Sequence, residues 1–150
     1  MLTLDLIYKA STVLQDVVRK TQLIPTDKIN PDCNIFLKTE NLQATGSFKV
    51  RGAYYKISQL SKEESDKGVI ACSAGNHAQG VALAARRYGI PALICMPSGA
   101  PISKVEATRE MGAEICLVPG VYDDAYAKAR QLNEEKNMTF IHPFDDEMVI

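Results

Sequence analysis

Residues 68–97, GVIACSAGNHAQGVALAARRYGIPALICMP, decide the fold class of this chain. Residues 68–73 are a short apolar run typical of a buried strand, and residues 76–89 have the pattern of a helix that ends at a glycine. A second apolar run, PALICMP, follows directly. Because the helix is long enough to cross over a sheet, we expect the two strands to lie parallel.

The same alternation continues toward the C-terminus. ISKVEATREMG predicts a helix, AEICLVPG a strand, YDDAYAKARQLNEEKN a helix and TFIHPF a last strand. Each strand is a continuous apolar run, which is typical of a sheet that is covered on both sides. We therefore predict an α/β fold, an open three-layer parallel sheet with helices on both faces and right-handed crossovers.

The first fifty residues have a different pattern. A helix, two extended segments and a second helix are predicted in that order, at residues 4–19, 22–24, 34–40 and 47–60. These extended segments would have to join a sheet that is formed by another part of the protein. We therefore predict that residues 1–52 belong to a larger domain and that residues 53–150 form a small α/β domain.

Composition and charge argue against several classes of function. The 150 residues suit one domain, and 46% hydrophobic with 23% charged residues is ordinary for a soluble globular protein. The formal charge of −1, with no basic run beyond Arg86 and Arg87, argues against nucleic-acid or membrane partners. No apolar stretch approaches the roughly 18 residues of a membrane span, and the N-terminus lacks a secretory signal pattern.

The four cysteines, Cys33, Cys72, Cys95 and Cys116, are widely spaced and form no CxxC motif. Three of them lie in apolar strand-like runs, where cysteine is usually a small reduced core residue. This pattern favours a reducing compartment, and we predict a cytoplasmic protein. No HxxxH motif or cluster of cysteine and histidine indicates a metal site, so none is expected.

The turn CSAGNHAQG, residues 72–80, is the best candidate for a ligand site. Ligands of open parallel sheets bind beyond the carboxyl ends of the strands, where the N–H groups of a helix N-terminus suit a carboxylate or phosphate. Asn76 could equally be a plain N-cap. The turn lacks both GxxxxGK[ST] and GxGxxG, so nucleotide binding has weak support. His77 and His142, the only histidines, are each more often structural than catalytic at such positions.

The second candidate is Lys49, in the stretch TGSFKVRGAYY at a predicted helix start. Ser47 is suited to cap this helix, and the aromatic Phe48 adjoins the lysine. A free lysine has a pKa near 10.4 and is almost fully protonated at pH 7. The positive end of the helix dipole would favour the neutral, nucleophilic amine. From these residues alone an ordinary solvated lysine is the favoured interpretation, with a nucleophile as the alternative.

Together, two stretches strongly resemble the threonine dehydratase (threonine ammonia-lyase) group of pyridoxal-phosphate enzymes, with the tryptophan-synthase-β-like fold. They are KTENLQATGSFKVRGA and SAGNHAQGVA, and MPSGAPISKVEATREMGAEICLVPG and HPFDDEMVI continue the resemblance. It covers essentially the whole chain. It implies pyridoxal 5'-phosphate as the cofactor, a small amino-acid substrate and a homo-oligomer.

The resemblance also assigns roles by position. Lys49 would form the Schiff base with the cofactor aldehyde and later remove the α-proton of the substrate. Phe48 would pack on the pyridine ring, and Asn76 would hydrogen-bond the phenolic oxygen. The substrate carboxylate would be received, largely by backbone N–H groups, at five consecutive residues: Ser73, Ala74, Gly75, Asn76 and His77.

The implied reaction is deamination of L-threonine to 2-oxobutanoate and ammonia, and of L-serine to pyruvate, in amino-acid metabolism such as isoleucine biosynthesis. The family's glycine-rich phosphate loop has no counterpart, since nothing like GGGG occurs. The chain thus resembles the N-terminal strands and small domain of a longer enzyme, with the rest of the large domain absent. By itself we expect it to fold but not to turn over substrate.

Three alternatives remain open. Cysteine synthase shares the fold, but a different lysine motif and a threonine-rich loop would be expected there. A serine racemase or serine dehydratase is closer, although racemases resemble a serine where this chain has Ala74, which cannot carry a proton. The third alternative is a folded fragment without catalytic activity.

Overall fold

Helices and strands alternate along most of the chain. The structure, a computed structural model, describes residues 2–26 and 28–150. Its α-helices are α1 (Leu4–Leu14), α2 (Lys49–Ser58), α3 (Lys62–Asp66), α4 (Asn76–Tyr88), α5 (Ile102–Glu110) and α6 (Tyr122–Lys136). Its strands are β1 (Leu23–Thr26), β2 (Ile35–Lys38), β3 (Val69–Cys72), β4 (Ala92–Pro97), β5 (Glu114–Val118) and β6 (Thr139–Phe140). Within the described residues no helix is long and apolar enough to cross a membrane.

A four-stranded parallel sheet forms the centre, in the order β5-β4-β3-β6. Alternate residues of β4 face opposite layers, as the pleat of a strand requires. Ile94 and Met96 pack in a cluster with α2 and α4, whereas Leu93 and Cys95 pack against α6. The predicted three-layer α/β sheet is therefore confirmed, with helices on both faces.

The cysteines of the three central strands lie side by side. Cys72 is the register partner of Cys95, and Cys95 is the partner of Cys116. Burial raises the pKa of Cys72 to about 11 and that of Cys95 to about 12, so both thiols stay protonated at neutral pH. All are free thiols. The prediction of small core residues is confirmed for Cys72 and Cys95, whereas Cys116 is half-buried.

Two predicted elements end earlier than the apolar pattern suggested. The first helix stops at Leu14, because the N–H groups of Val17 and Val18 both bond to the Leu14 carbonyl in a turn. The last strand, predicted over residues 139–144, ends at Phe140. Pro143 has no N–H for a sheet ladder, and its presence favours the turn that follows.

The sequence analysis missed helix α3, and the domain boundary that it proposed falls inside helix α2. Helix α3 begins with a capping box in which Ser61 Oγ accepts from the Glu64 N–H, and the Glu64 carboxylate accepts from the Ser61 N–H. The motif S-x-x-E is the signal that could have found it. The boundary proposed after residue 52 lies within α2, a continuous helix.

A partly buried ion pair between Arg51 and Glu40 joins the segment before α2 to that helix. The Arg51 guanidinium donates two hydrogen bonds of 2.9 Å to the Glu40 carboxylate, which also accepts from the Thr21 hydroxyl at 2.6 Å. Arg51 is the main cause that lowers the pKa of Glu40 to about 2. The carboxylate is therefore ionised at neutral pH, and it fixes the segment before Lys49 against the helix that Lys49 begins.

Helix α2 approaches α4 closely at Gly80. A Cβ atom at this position would lie 3.0 Å from the Lys49 carbonyl oxygen and 3.2 Å from the Ala53 Cβ. Such distances are tighter than ordinary packing, so the missing side chain sets the separation of the two helices. The backbone of Lys49 is thereby placed directly against the first turns of α4.

We predict that Gly80→Val lowers the free energy of unfolding by about 1–3 kcal/mol, because the new side chain must push the backbone of Lys49 away. Gly99→Val is the matched control, since a Cβ at Gly99 meets no atom within 4 Å. Urea unfolding of both variants measures the difference. Equal stability of the two variants would show that Gly80 does not set the helix separation.

Candidate active site

Lys49 is held by the protein at the first position of α2. Its backbone N–H donates to Ser47 Oγ at 3.3 Å, although Phe48 occupies the N-cap position itself. Its Nζ donates to the Pro143 carbonyl at 2.8 Å and lies 5.4 Å from the centre of the Phe48 ring. The side chain is half-buried. An ordinary solvated surface lysine does not describe this environment.

A cleft of about 270 Å³ opens beside Lys49, between α2, Pro143 and the last residues of the chain. The rings of Phe48 and Phe144 line it and are 58% and 67% exposed, so both could receive a flat ligand. A larger cavity of about 470 Å³ lies between α1, α2 and residues 147–150. Lys49 does not line that cavity, and we therefore place the candidate site in the smaller cleft.

The turn that enters α4 has no side-chain cap. Gly75 occupies the N-cap position and Asn76 is the first helical residue, so the interpretation of Asn76 as an N-cap is wrong. Its side chain is exposed, and its Oδ1 accepts from Lys104 instead. A glycine at this position leaves the N–H groups of the first turn to be satisfied by something else.

Two of the five residues predicted to receive a carboxylate already use their backbone N–H. Ser73 donates to the Cys95 carbonyl at 3.1 Å, and Gly75 donates to Ser73 Oγ at 3.2 Å. Within residues 2–26 and 28–150, no acceptor contacts the backbone N–H of Ala74, Asn76 or His77. These three groups are the donors still open to an anion.

The side chain of His77 has a structural position. It is 3% exposed, and its Nε2 donates to the Ile141 carbonyl at 3.0 Å. Nε2 must therefore carry the proton, and Nδ1 is a buried acceptor without a partner among the described residues. Burial lowers the pKa of His77 to about 4, so the ring is neutral at pH 7.

Residues 141–143 connect the two motifs. The Ile141 carbonyl accepts from His77 at the start of α4, and the Pro143 carbonyl accepts from Lys49 at the start of α2. Between them, His142 Nδ1 accepts from the backbone N–H of Asp145 at 2.8 Å, which is consistent with the structural position predicted for this side chain. No hydrogen bond within the described residues joins the Lys49 amine directly to residues 73–76.

Sequence reasoning missed Pro143, which lines the cleft, and Lys104, which contacts Asn76 at the start of α4. The strand order could have suggested the first, because β6 lies next to β3 and their carboxyl ends meet at one edge. No comparable signal identifies Lys104, whose contact depends on how α5 packs. Among the described residues, no group of three or more histidine, cysteine, aspartate or glutamate side chains could hold a metal ion.

The family model described as "Pyridoxal-phosphate dependent enzyme" matches residues 14–150. The chain therefore belongs to the family of pyridoxal-phosphate dependent enzymes. An L-threonine ammonia-lyase of Thermotoga maritima is 50% identical over 152 aligned positions, which cover all of this chain and 38% of that protein. The chain thus spans about two fifths of the length of this curated relative.

Solved structures agree with this placement. The processed form of threonine deaminase isoform 2 from Solanum lycopersicum matches 97% of this chain and 43% of its own, with a TM-score of 0.87 and 40% identity. Maize serine racemase matches 97% of this chain and 45% of its own, with a TM-score of 0.89 and 35% identity. The expected tryptophan-synthase-β-like fold is confirmed.

The residues at the cleft fit one end of pyridoxal phosphate. Lys49 offers the primary amine that an aldehyde requires, and Phe48 offers an exposed ring face. Asn76, which lies outside the lining of the cleft, offers an exposed carboxamide at the start of α4. The sequence has no glycine-rich run of the kind that receives a phosphate. These residues therefore account for the aldehyde and ring of the cofactor, and not for its phosphate.

We predict that the free energy of unfolding decreases as the pH is lowered from 7 to 5, because of His77. The folded pKa, about 4, lies below the ordinary 6.5, so the unfolded chain binds more protons between these values. The stabilisation is complete above about pH 6.5 and should decrease by about 2 kcal/mol between pH 7 and pH 5. Chemical unfolding of the chain and of His77→Gln at both pH values measures it. An equal decrease in the two proteins would contradict this origin.

Proposed function

We propose that the full-length protein deaminates L-threonine to 2-oxobutanoate and ammonia, and L-serine to pyruvate and ammonia. Pyridoxal 5'-phosphate is the proposed cofactor, and Lys49 is the residue that carries it. The observation that supports this most is the position of the Lys49 amine, in a cleft beside Phe48 and linked through residues 141–143 to the uncapped start of α4. The similarity to the L-threonine ammonia-lyase of Thermotoga maritima also supports it.

When bound, the cofactor supplies an electron sink for the α-carbon of the substrate. Lys49 Nζ is then the candidate base for the α-proton, once it leaves the Pro143 carbonyl. That carbonyl accepts a hydrogen bond of 2.8 Å from the Lys49 amine in the described structure, so it holds the amine when no ligand is bound. The base is thus held on the backbone of residues 141–143 and close to the turn before α4.

The start of α4 is the proposed receptor of the substrate carboxylate. The open N–H groups of Asn76 and His77 lie in the first turn of α4 and that of Ala74 lies just before its N-cap, where the macrodipole favours an anion. Ser73 and Gly75 support the shape of the turn through their own hydrogen bond. The carboxylate would therefore be fixed by backbone donors. The neutral ring of His77 would hold the turn in place through its hydrogen bond to the Ile141 carbonyl.

Lyase chemistry is proposed in preference to racemisation. A racemase needs a second acid or base on the opposite face of the substrate, and the methyl group of Ala74 cannot exchange a proton. The neighbouring Ser73 Oγ is engaged in the turn by the Gly75 N–H. Serine racemase remains the alternative activity, because maize serine racemase is similar in fold and sequence.

Cellular context is part of the same proposal. Biosynthetic L-threonine dehydratases are among the relatives, which supports a place in isoleucine biosynthesis. We further propose a cytoplasmic homo-oligomer with a small-molecule substrate and no nucleic-acid or membrane partner. The division after residue 52 into a large-domain segment and a small domain also belongs to this proposal, as does the expectation that the 150-residue chain alone is inactive.

We predict that full-length protein produces 2-oxobutanoate from L-threonine and that Lys49→Ala lowers kcat by at least about 10²-fold, since a positioned base contributes about 10²–10⁴-fold. Lys62→Ala is the control, because Lys62 lies on the surface of α3 in an ion pair with Asp66. Coupled assay of the 2-oxo acid measures both variants. Unchanged turnover in Lys49→Ala would contradict the assigned base.

The same preparation discriminates the rival activity. Chiral analysis after incubation with L-serine should find pyruvate in large excess over D-serine. D-serine formation at a rate comparable to pyruvate formation would contradict the lyase proposal and favour a racemase. Absence of both products, in protein that has bound pyridoxal phosphate, would favour a member of the family with another substrate.

A further inference from the structure

Lys104 contacts the candidate carboxylate turn from the neighbouring helix. It lies in the first turn of α5, where its Nζ donates to Asn76 Oδ1 at 2.9 Å and to Gln79 Oε1 at 3.5 Å. Asn76 and Gln79 are three residues apart in α4, so their side chains lie on one face of that helix. The lysine therefore spans two side-chain amides at the mouth of the site.

The chemistry of lysine fixes how these amides are oriented. An ammonium group has three donors and no acceptor, so its partners must present oxygen atoms. Asn76 is thus held with Oδ1 toward Lys104, and the two N–H donors of its Nδ2 are left for another acceptor. Without Lys104 the oxygen and nitrogen ends of this exposed carboxamide have nearly the same shape, and either could face a ligand.

The position of Lys104 is unfavourable for stability. A cation near a helix N-terminus meets the positive end of the macrodipole, and Lys104 lies near the first turns of both α4 and α5. Neither helix has an acidic residue in its first turn. In the described part of the chain, no carboxylate forms an ion pair with this lysine. A charge in this place is suited to an anionic ligand.

We infer that Lys104 is a positioning residue that acts through Asn76, holding its carboxamide with the N–H donors toward the phenolic oxygen of pyridoxal phosphate. The inference rests on the proposed function and on the contact between Asn76 and that oxygen which the family resemblance implies. Gln79, which is 6% exposed, steadies the ammonium group from a second side. The ionised phenolic oxygen is an acceptor, so only the donor end of the carboxamide can bind it.

A double-mutant cycle in the full-length protein tests the route through Asn76. The variants are Lys104→Met, Asn76→Ala and the double substitution, and visible absorption measures the dissociation constant of pyridoxal phosphate. Lys104→Met should raise this constant about tenfold or more, the effect of one charge-assisted hydrogen bond. In the Asn76→Ala background the same substitution should change it less than about twofold.

Two further variants separate charge and position from general perturbation. Lys104→Arg keeps N–H donors and the positive charge, so its dissociation constant should stay within about threefold of that of the unsubstituted protein. Lys128→Met is the matched control, because Lys128 also donates to a side-chain amide, Gln131 Oε1 at 3.0 Å, but on the surface of α6. It should leave cofactor binding unchanged.

A spectroscopic titration and a melting curve complete the test. In Lys104→Met the pH midpoint of the visible band should rise by about one unit, since the phenolate loses its oriented donor. Without cofactor, the same variant should melt at the same or a higher temperature, because a cation is removed from two positive helix ends. A lower melting temperature with unchanged cofactor affinity would assign Lys104 a structural role and overturn the inference.

The remaining outcomes distinguish this inference from the proposed function. A loss of affinity that is equally large in the Asn76→Ala background would show that Lys104 does not act through Asn76. If the unsubstituted protein develops the visible band and the Lys104→Met variant binds pyridoxal phosphate with the same dissociation constant, the role of Lys104 is overturned and the proposed function is not. No visible band in unsubstituted full-length protein would overturn the proposed function and, with it, the role of Lys104.

Discussion

The close approach of α2 to α4 at Gly80 is the constraint on which the candidate site depends. It places the backbone of Lys49 against the first turns of α4, so that a helix start bearing an amine and a helix start bearing open N–H groups become neighbours. The backbone of residues 141–143 then accepts one hydrogen bond from each side, from His77 and from Lys49. Without that approach, the two motifs would be separate helix ends.

The elements of the sheet could be predicted because each is a short apolar run with a clear glycine or proline boundary. Their ends could not be predicted as well, since the helix at Leu14 and the strand at Phe140 stop where turn hydrogen bonds replace the regular ladder. For the candidate site, motif resemblance proposed Lys49 and residues 73–77. It could not identify Pro143 or Lys104, because a backbone carbonyl and a packed helix leave no local pattern.

Several features of this region favour ligand binding over stability. The turn before α4 begins at a glycine without a side-chain cap, a buried histidine is kept neutral, and a lysine lies near two positive helix ends. Other parts of the fold offset this loss of stability. Apolar side chains pack on both faces of the sheet, and the Glu40–Arg51 pair fixes the segment before α2. Such a division is expected at functional sites, where local rules of stability are violated and offset by the rest of the fold.

The central claim is that the amine at the start of α2 is the group that carries the cofactor. Borohydride reduction of full-length protein with pyridoxal phosphate, followed by peptide mapping, tests it most directly. The account predicts a reduced pyridoxyl group on Lys49, whose Nζ lies in the cleft beside Phe48. Label on Lys38, Lys56 or Lys104, with Lys49 unmodified, would contradict it.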